Sequence, residues 1–515
     1  LRAVLDELTD REPSLNEATA HVHPDYRLSA KNLLRYLILR SKDLRVYHGA
    51  LSDLGLSSLR SAEGYVYSNL HSVVSNLRLM RPDADRTPSA WDTPVRTPPP
   101  AIDVVGYTKS VELLNQHADR LFNAARERRR THIMVTLPDE AAADRRVIEE
   151  MVANGMDVAR INLSHGDENI WRKMVDGVRA VSRETGKPIK IYMDLAGPKL
   201  RTAAIRIDTK RGKVKRKVRL EKGARLTLTK RETLGRQWKV CEGTREVRCA
   251  EVGVMLGAVV DDAQPGDRIL FDDGMIEGRV VSKRPDEIEL WITQCYKPKL
   301  GEHKGINLPD THLHLPALTV ADVVVLPFVC AHADLVGYSF VRTADDVAQL
   351  YDALAKHDAD HLGVVFKIEN QEAFDNLPAI LIRGMSREPI GIMIARGDLA
   401  VEIGFERISE VQNEILWLCE AAHVPVIWAT QVLETLAKAG LPTRAEVSDA
   451  AQGAQAECVM LNKGPNINRT IRMLQDILIR MGGHALKKKN ELRALNVARR
   501  YVETLPTEPA AAVPL

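Results

Sequence analysis

Two carboxylates, a lysine and an arginine stand out in this chain because each stands at or near the end of a short apolar run. The segments are Arg160-Ile161-Asn162-Leu163-Ser164-His165-Gly166, Asp194-Leu195-Ala196-Gly197-Pro198-Lys199-Leu200-Arg201-Thr202, Lys367-Ile368-Glu369-Asn370, Ala395-Arg396-Gly397-Asp398-Leu399 and Ala429-Thr430-Gln431. Glu369 and Asp398 offer hard oxygen donors, which suit Mg²⁺ or Mn²⁺. Such an ion keeps open positions for substrate oxygens and acts as a Lewis acid. Lys367 lies two residues before Glu369, so in an extended segment both side chains leave on the same face. Arg160 adds a permanent cation whose planar fork suits phosphate. Together these groups suit phosphoryl transfer, where positioning and charge stabilisation do most of the work. Singly, each has a plainer reading: Lys-x-Glu as a solvated pair, Arg-Gly-Asp as a turn, Asp194 as a turn cap. Their recurrence at the ends of successive apolar runs argues against chance.

Those runs alternate with longer amphipathic segments from Thr131 onward, the pattern of parallel strands joined by helices. Strands are expected at 131–137, 157–162, 188–194, 334–340, 363–368, 389–395, 425–430 and 456–461. Eight strands, mostly followed by a helical segment, predict an α/β fold of the (β/α)₈ TIM barrel type, with a doubly wound sheet as the structural alternative. Catalytic groups in such a barrel gather at the carboxyl ends of the strands. The stretch 203–308 instead reads as short strands and turns, with Glu221-Lys222-Gly223, Gln264-Pro265-Gly266-Asp267 and Asp272-Asp273-Gly274 as turn signals. It predicts a small β domain inserted after the third barrel strand, leaving 131–202 and 309–483 as the barrel. Residues 1–130 read as a helical extension containing a Pro-rich linker at 81–100, with a helix expected from Ser110 to Arg128, and 484–515 as a charged, Ala/Pro-rich tail.

Bulk properties exclude some partners. With 45% hydrophobic and 27% charged residues and a formal net charge of +3, the chain has the composition of a globular protein and gives no reason to expect nucleic acid. Arg126-Glu127-Arg128-Arg129-Arg130 and Lys487-Lys488-Lys489 read as solvated helix ends. The six cysteines contain no Cys-x-x-Cys pair, and several sit in apolar runs as buried thiols. No apolar stretch approaches the roughly 18 residues a bilayer requires, and the first residues lack a secretion pattern. A cytoplasmic location without membrane contact is expected.

These segments resemble the pyruvate kinase family, in the family's order. The blocks are Gly155 to Gly166, Lys304-Gly305-Ile306-Asn307-Leu308-Pro309, Lys367 to Asn370, Ala395 to Leu399, Ala429-Thr430-Gln431 and Pro442-Thr443-Arg444-Ala445-Glu446. The resemblance runs from about Thr131 to Met481. It implies phosphoryl transfer between phosphoenolpyruvate and ADP, giving pyruvate and ATP, in a homo-oligomeric enzyme of glycolysis. Arg160 then looks like the arginine holding the phosphoryl group, and Lys367 like the lysine stabilising that group and the enolate oxygen. Glu369 and Asp398 look like the divalent-metal ligands. The backbone amides of Gly397 and Asp398, with Thr430, would hold the substrate carboxylate, and Thr430 lies where the family protonates the enolate through water. Ser339 and Phe340 resemble the segment flanking the pocket, and Arg201 and His165 resemble nucleotide-side residues. Asn162, Ser164, Asp194 and the Leu195 carbonyl match the monovalent-cation site.

Departures from the family sharpen the expectations. Where many members that bind K⁺ have Asp-Thr-Lys-Gly-Pro-Glu, this chain ends the motif in Lys199, as in the K⁺-independent branch. An ammonium there would stand in for the ion, so activity without K⁺ is expected; a surface lysine is the alternative. After the eighth strand, Leu461-Asn462-Lys463-Gly464-Pro465 replaces the usual Ser-Gly-Glu-Thr-Ala. The loop precedes a helix amino end, a place for an anion, so Lys463 is a candidate for nucleotide phosphate. Thr136-Leu137-Pro138-Asp139 also lacks the usual Gly-Pro-Ala-Ser. The family's carboxy-terminal allosteric domain is expected to be absent, with the helical extension serving regulation, assembly or packing. Two further readings stay open: a metal-dependent barrel lyase or aldolase acting on a pyruvate-like acid, and a non-catalytic homologue serving as a regulatory subunit.

Overall fold

Each of the eight apolar runs forms a strand in the computed structural model, which describes residues 1–57, 59–80, 102–124, 129–208, 214–482, 484–487 and 489–490. The expected linker at 81–100, the tail beyond 490, residues 126–128 of one basic run and Lys488 of the other lie outside the described residues. The strands are β1 (His132–Thr136), β2 (Val158–Asn162), β3 (Lys190–Asp194), β4 (Leu335–Tyr338), β5 (Gly363–Ile368), β6 (Ile390–Ala395), β7 (Val426–Ala429) and β8 (Cys458–Leu461). They close into a parallel barrel in the order β1-β8-β7-β6-β5-β4-β3-β2, so the fold is the barrel and not the open sheet.

Strand side chains alternate between the two faces. One set points into the barrel, where Met134, Val158, Tyr192, Leu335, Val365, Met393, Ile427, Cys458 and Met460 form a closed cluster. The other set joins the surrounding helices in a larger core. The inner cluster also contains Leu121 and Phe122, from the end of a helix that precedes the barrel.

The stretch 203–308 departs from the alternation, while the helix Val320–His332 packs with the barrel's outer core. A seven-stranded sheet runs Ile306–Asn307, Arg268–Phe271, Ile276–Arg284, Glu287–Cys295, Arg225–Thr229, Arg245–Gly253 and Arg236–Glu242, and its inward residues form a core of their own. The chain leaves the barrel after β3 and returns before β4, and paired bridges (Arg201 to Gly305, Thr202 to Val254) close the neck of the insertion.

Two helices of the amino-terminal region matter for the barrel, α1 (Arg27–Arg40) and α2 (Tyr107–Phe122). The second starts and ends earlier than its sequence pattern suggested. Lys487, read as part of a solvated basic run, is instead 6% exposed and pairs with Glu457 at 2.6 Å, because the chain folds back after the last helix. All six cysteines are free thiols, four of them buried. Among the described residues no helix is long and apolar enough to cross a membrane.

Candidate active site

The inward face that builds the barrel's core continues upward by the same two-residue step. Beyond Val158 comes Arg160, beyond Tyr192 comes Asp194, and beyond Val365 come Lys367 and then Glu369. One parity of the strand pattern therefore makes an apolar floor and then a charged mouth. Register sets the neighbours: Arg160 lies across from Thr136 and from Tyr192, and Gly337 across from Asp194. Gly337 must be glycine here, since a Cβ would fall 1.9 Å from the Tyr192 hydroxyl and 2.4 Å from Asp194 Oδ1.

Asp194 is the hub. Its Oδ2 accepts hydrogen bonds from Arg160 Nη2 at 2.5 Å and Lys367 Nζ at 3.2 Å, while Oδ1 accepts from the Tyr192 hydroxyl at 3.1 Å. Lys367 Nζ also donates to Ser339 Oγ at 2.8 Å and pairs with Glu369 Oε1 at 2.9 Å. Glu369 Oε2 accepts from the Phe340 amide at 2.9 Å. Arg160 Nη1 donates to Thr136 Oγ1 at 2.8 Å. Burial would strip charge from all four ionisable groups, but Lys367 and Arg160 hold the Asp194 carboxyl below its usual range. Asp194 and Glu369 in turn hold the Lys367 ammonium above its usual value against the opposing effect of burial. Burial pushes the Glu369 carboxyl up, Lys367 opposes it, and the nearby charge of Asp398 adds to the push.

Asp398 comes from α3 (Arg396–Ile403), which starts directly at the end of β6. With Glu369, Lys199 and Glu402 it lines a cavity of about 430 Å³ between the barrel mouth and the inserted domain. Two buried or half-buried carboxylates that repel across one cavity are a donor set that fits a hard divalent cation, Mg²⁺ or Mn²⁺. Gly397, in the first turn of α3, donates its amide to Thr430 Oγ1 at 2.7 Å. Thr430 sits in the left-handed region at φ 67°, a conformation held by Arg396, whose Nη2 donates to the Thr430 carbonyl at 2.6 Å and whose Nε donates to the Ala429 carbonyl at 3.0 Å. Arg396 is itself anchored by Asp449 and stacked over Trp428.

The residues matched to the monovalent-cation site meet at the ends of β2 and β3, with Asn162 directly across from Asp194, and three of them already accept hydrogen bonds. Asp194 is committed to Arg160 and Lys367, the Leu195 carbonyl accepts from Ser339 Oγ at 2.7 Å, and Asn162 Oδ1 accepts from the Ser164 amide at 3.1 Å. Lys199, expected beside these residues, reaches the other side of the mouth: its Nζ lies 2.9 Å from both Oδ1 and Oδ2 of Asp398. The physical reason is the turn at Gly197 (φ 64°), which carries Lys199 towards two facing carboxylates that attract a cation. The nucleotide-side candidates also divide. His165 and Lys463 line a second cavity of about 250 Å³ together with Arg160, with Lys463 Nζ 3.1 Å from Asp139 Oδ1. Arg201 stands apart, donating to the His303 carbonyl at the neck of the insertion.

Sequence reasoning gave no role to Thr136, Tyr192, Arg396 or Glu402. Tyr192 carried a signal, being two residues before Asp194 on the same strand face, and Glu402 another, four residues beyond Asp398 on one helix. Glu402 accepts from Asn307 Nδ2 at 2.9 Å, joining α3 to the inserted domain, and its burial pushes the carboxyl up to about 7.

Comparison with known proteins adds an independent finding. Residues 128–465 match the family described as "Pyruvate kinase, barrel domain". The chain is 32% identical over 325 residues to the pyruvate kinase of Geobacillus stearothermophilus, covering 63% of this chain and 51% of that one. It is 33% identical over 337 residues to the pyruvate kinase of Staphylococcus saprophyticus, covering 65% of this chain and 53% of the relative. The pyruvate kinase of Dictyostelium discoideum is 32% identical over 336 residues, 65% of this chain and 62% of that protein. The chain thus spans about half the length of the two bacterial relatives.

Proposed function

This chain belongs to the pyruvate kinase family, and from that premise we propose that it transfers the phosphoryl group of phosphoenolpyruvate to ADP. The observation that carries this reading is the continuous chain Arg160–Asp194–Lys367–Glu369 rising along the inward face of the strands, with Asp398 facing it. It puts fixed positive charge where a phosphoryl group and an enolate oxygen would need it, in a mouth shielded by protein.

In the forward direction the bond between the phosphorus and the enol oxygen breaks as a terminal oxygen of ADP bonds to phosphorus. The electron pair left on the enol oxygen makes the enolate of pyruvate, which then takes a proton at its methylene carbon. Arg160 offers its guanidinium fork to the phosphoryl oxygens, oriented by Asp194 and Thr136. Lys367, kept charged by its two carboxylates, stabilises the phosphoryl group and then the enolate oxygen. Glu369 and Asp398 would hold Mg²⁺ or Mn²⁺, which when bound would supply charge neutralisation and orient substrate oxygens. Thr430 holds its hydroxyl beside the first turn of α3, where the substrate carboxylate would sit, and orders a water for the final protonation. Asp194 already has two cationic partners, which supports turnover without added K⁺. His165 and Lys463, in the cavity next to Arg160, are the residues offered to ADP.

A coupled assay with phosphoenolpyruvate, ADP and Mg²⁺, with and without K⁺, tests this directly. ATP and pyruvate should form in equal amounts and at similar rates in both salts. Purified protein that yields neither product would reject the activity, and a strong K⁺ requirement would reject that part alone.

A further inference from the structure

Before any ligand arrives, the carboxylates that face one another at the barrel mouth are already paired with cations. Three carboxylates (Asp194, Glu369 and Asp398) face three cations (Arg160, Lys367 and Lys199). Lys367 and Arg160 are locked: the first has three side-chain partners and the second donates to both Asp194 and Thr136. Lys199 differs. Its ammonium meets the two oxygens of Asp398 symmetrically at 2.9 Å, its side chain is 29% exposed, and its stem passes Gly305 in the neck of the inserted domain. It is the movable member of the set, and it lies on the carboxylate that the proposed function assigns to the divalent ion.

We propose that Lys199 is a built-in counter-ion that competes with the divalent cation for Asp398, so that the cation binds weakly until an anionic substrate arrives. The inference rests on the reading of Glu369 and Asp398 as metal ligands. Two effects drive it. A metal must displace one or both Asp398 contacts or share that carboxylate with an ammonium a few ångströms away, and like charges at such range repel appreciably even at an effective dielectric of about 20. A doubly charged ion added beside carboxylates already paired with cations also adds positive charge to a partly desolvated mouth, which a phosphorylated carboxylic acid would offset. Lys199 can then turn from Asp398 to a phosphoryl oxygen. Metal and substrate thereby help each other to bind through a residue of the chain.

Removing Lys199 should therefore strengthen metal binding, the opposite of what damage to the site would do. Mn²⁺ binding to the full chain without substrate can be followed by the loss of the free-ion electron paramagnetic resonance signal. Lys199→Met and Lys199→Gln should each bind Mn²⁺ at least about 10-fold more tightly than wild type, whereas Lys199→Arg should stay close to it. Asp398→Ala separates the two levels of the argument. If Asp398→Ala abolishes binding while both neutral variants bind no more tightly than wild type, the Lys199 proposal is overturned and the metal assignment stands. If Asp398→Ala binds Mn²⁺ as wild type does, both fall.

Discussion

An ammonium taken out of water needs more than one carboxylate to remain charged, and Lys367 has two, together with a serine hydroxyl. That environment fixes both its charge and its direction, into the mouth. Lys367→Met removes the cation while Arg160 still neutralises Asp194, so under the proposed function the phosphoryl end of the substrate would keep one of its partners. Turnover should fall on the order of 10²–10³-fold or more, with phosphoenolpyruvate affinity changed far less, because the lost interaction grows as charge develops on the enolate. Steady-state kcat measured beside equilibrium substrate binding decides this: a kcat within a few-fold of wild type removes Lys367 from the chemistry. Residues of this kind were legible because strand geometry makes Lys-x-Glu a same-face pair. The contact between Lys199 and Asp398 was not legible. It joins positions 199 residues apart through a turn whose direction depends on Gly197 packing against Ser339 and Phe340, and no spacing rule carries that information.

At the level of elements, the eight strands could be read because buried parallel strands are apolar on both faces, leaving short runs such as Ile390–Ala395 with few polar interruptions. Their charged ends inherited that reading. The joint between the barrel and its insertion was harder, since it depends on the side chain of Glu402 in α3 meeting Asn307 at the edge of the inserted sheet. Burial raises the Glu402 carboxyl from 4.5 to about 7, with the charges of Asp398 and Asp310 adding to the effect and Asn307 opposing it. A carboxyl raised on folding favours the folded state while protonated. Its contribution is complete below about 4.5 and is lost as pH rises through about 7. Glu402→Gln keeps an acceptor for Asn307 but cannot ionise. The melting temperature of wild type, relative to that of Glu402→Gln, should therefore decline from about pH 5 to about pH 8. A difference that stays flat across that window would show that Glu402 does not titrate there.

The whole molecule joins its helical region to its barrel more closely than the sequence pattern indicated. Asn32 of α1 donates to the carbonyls of Glu63 and Ala421 and accepts from the Val66 amide, tying three segments with one amide group. His423 lies at the end of α4 (Ile408–Ala421) and engages both Ser29 and the Gly64 carbonyl. At the end of α2, Leu121 and Phe122 enter the barrel's own interior cluster, both 0% exposed. They close the floor opposite the charged mouth, so the barrel's inner core is incomplete without residues that precede its first strand. Truncating Phe122 removes a large ring from a space that rigid strands cannot fill by collapse. Phe122→Ala should lower unfolding stability by about 3–5 kcal/mol, the range for a fully buried phenylalanine. The loss should appear in one shared transition, because the same residues serve two regions. Well below that transition, kcat should stay within a few-fold of wild type, as Phe122 lies in the apolar floor and the charged groups in the layers above it. Denaturant unfolding followed by both far-ultraviolet circular dichroism and tryptophan fluorescence, with Trp428 inside the barrel wall, checks the claim. A loss below about 1 kcal/mol, or an early separate transition, would mean that the helices cover the barrel without completing it.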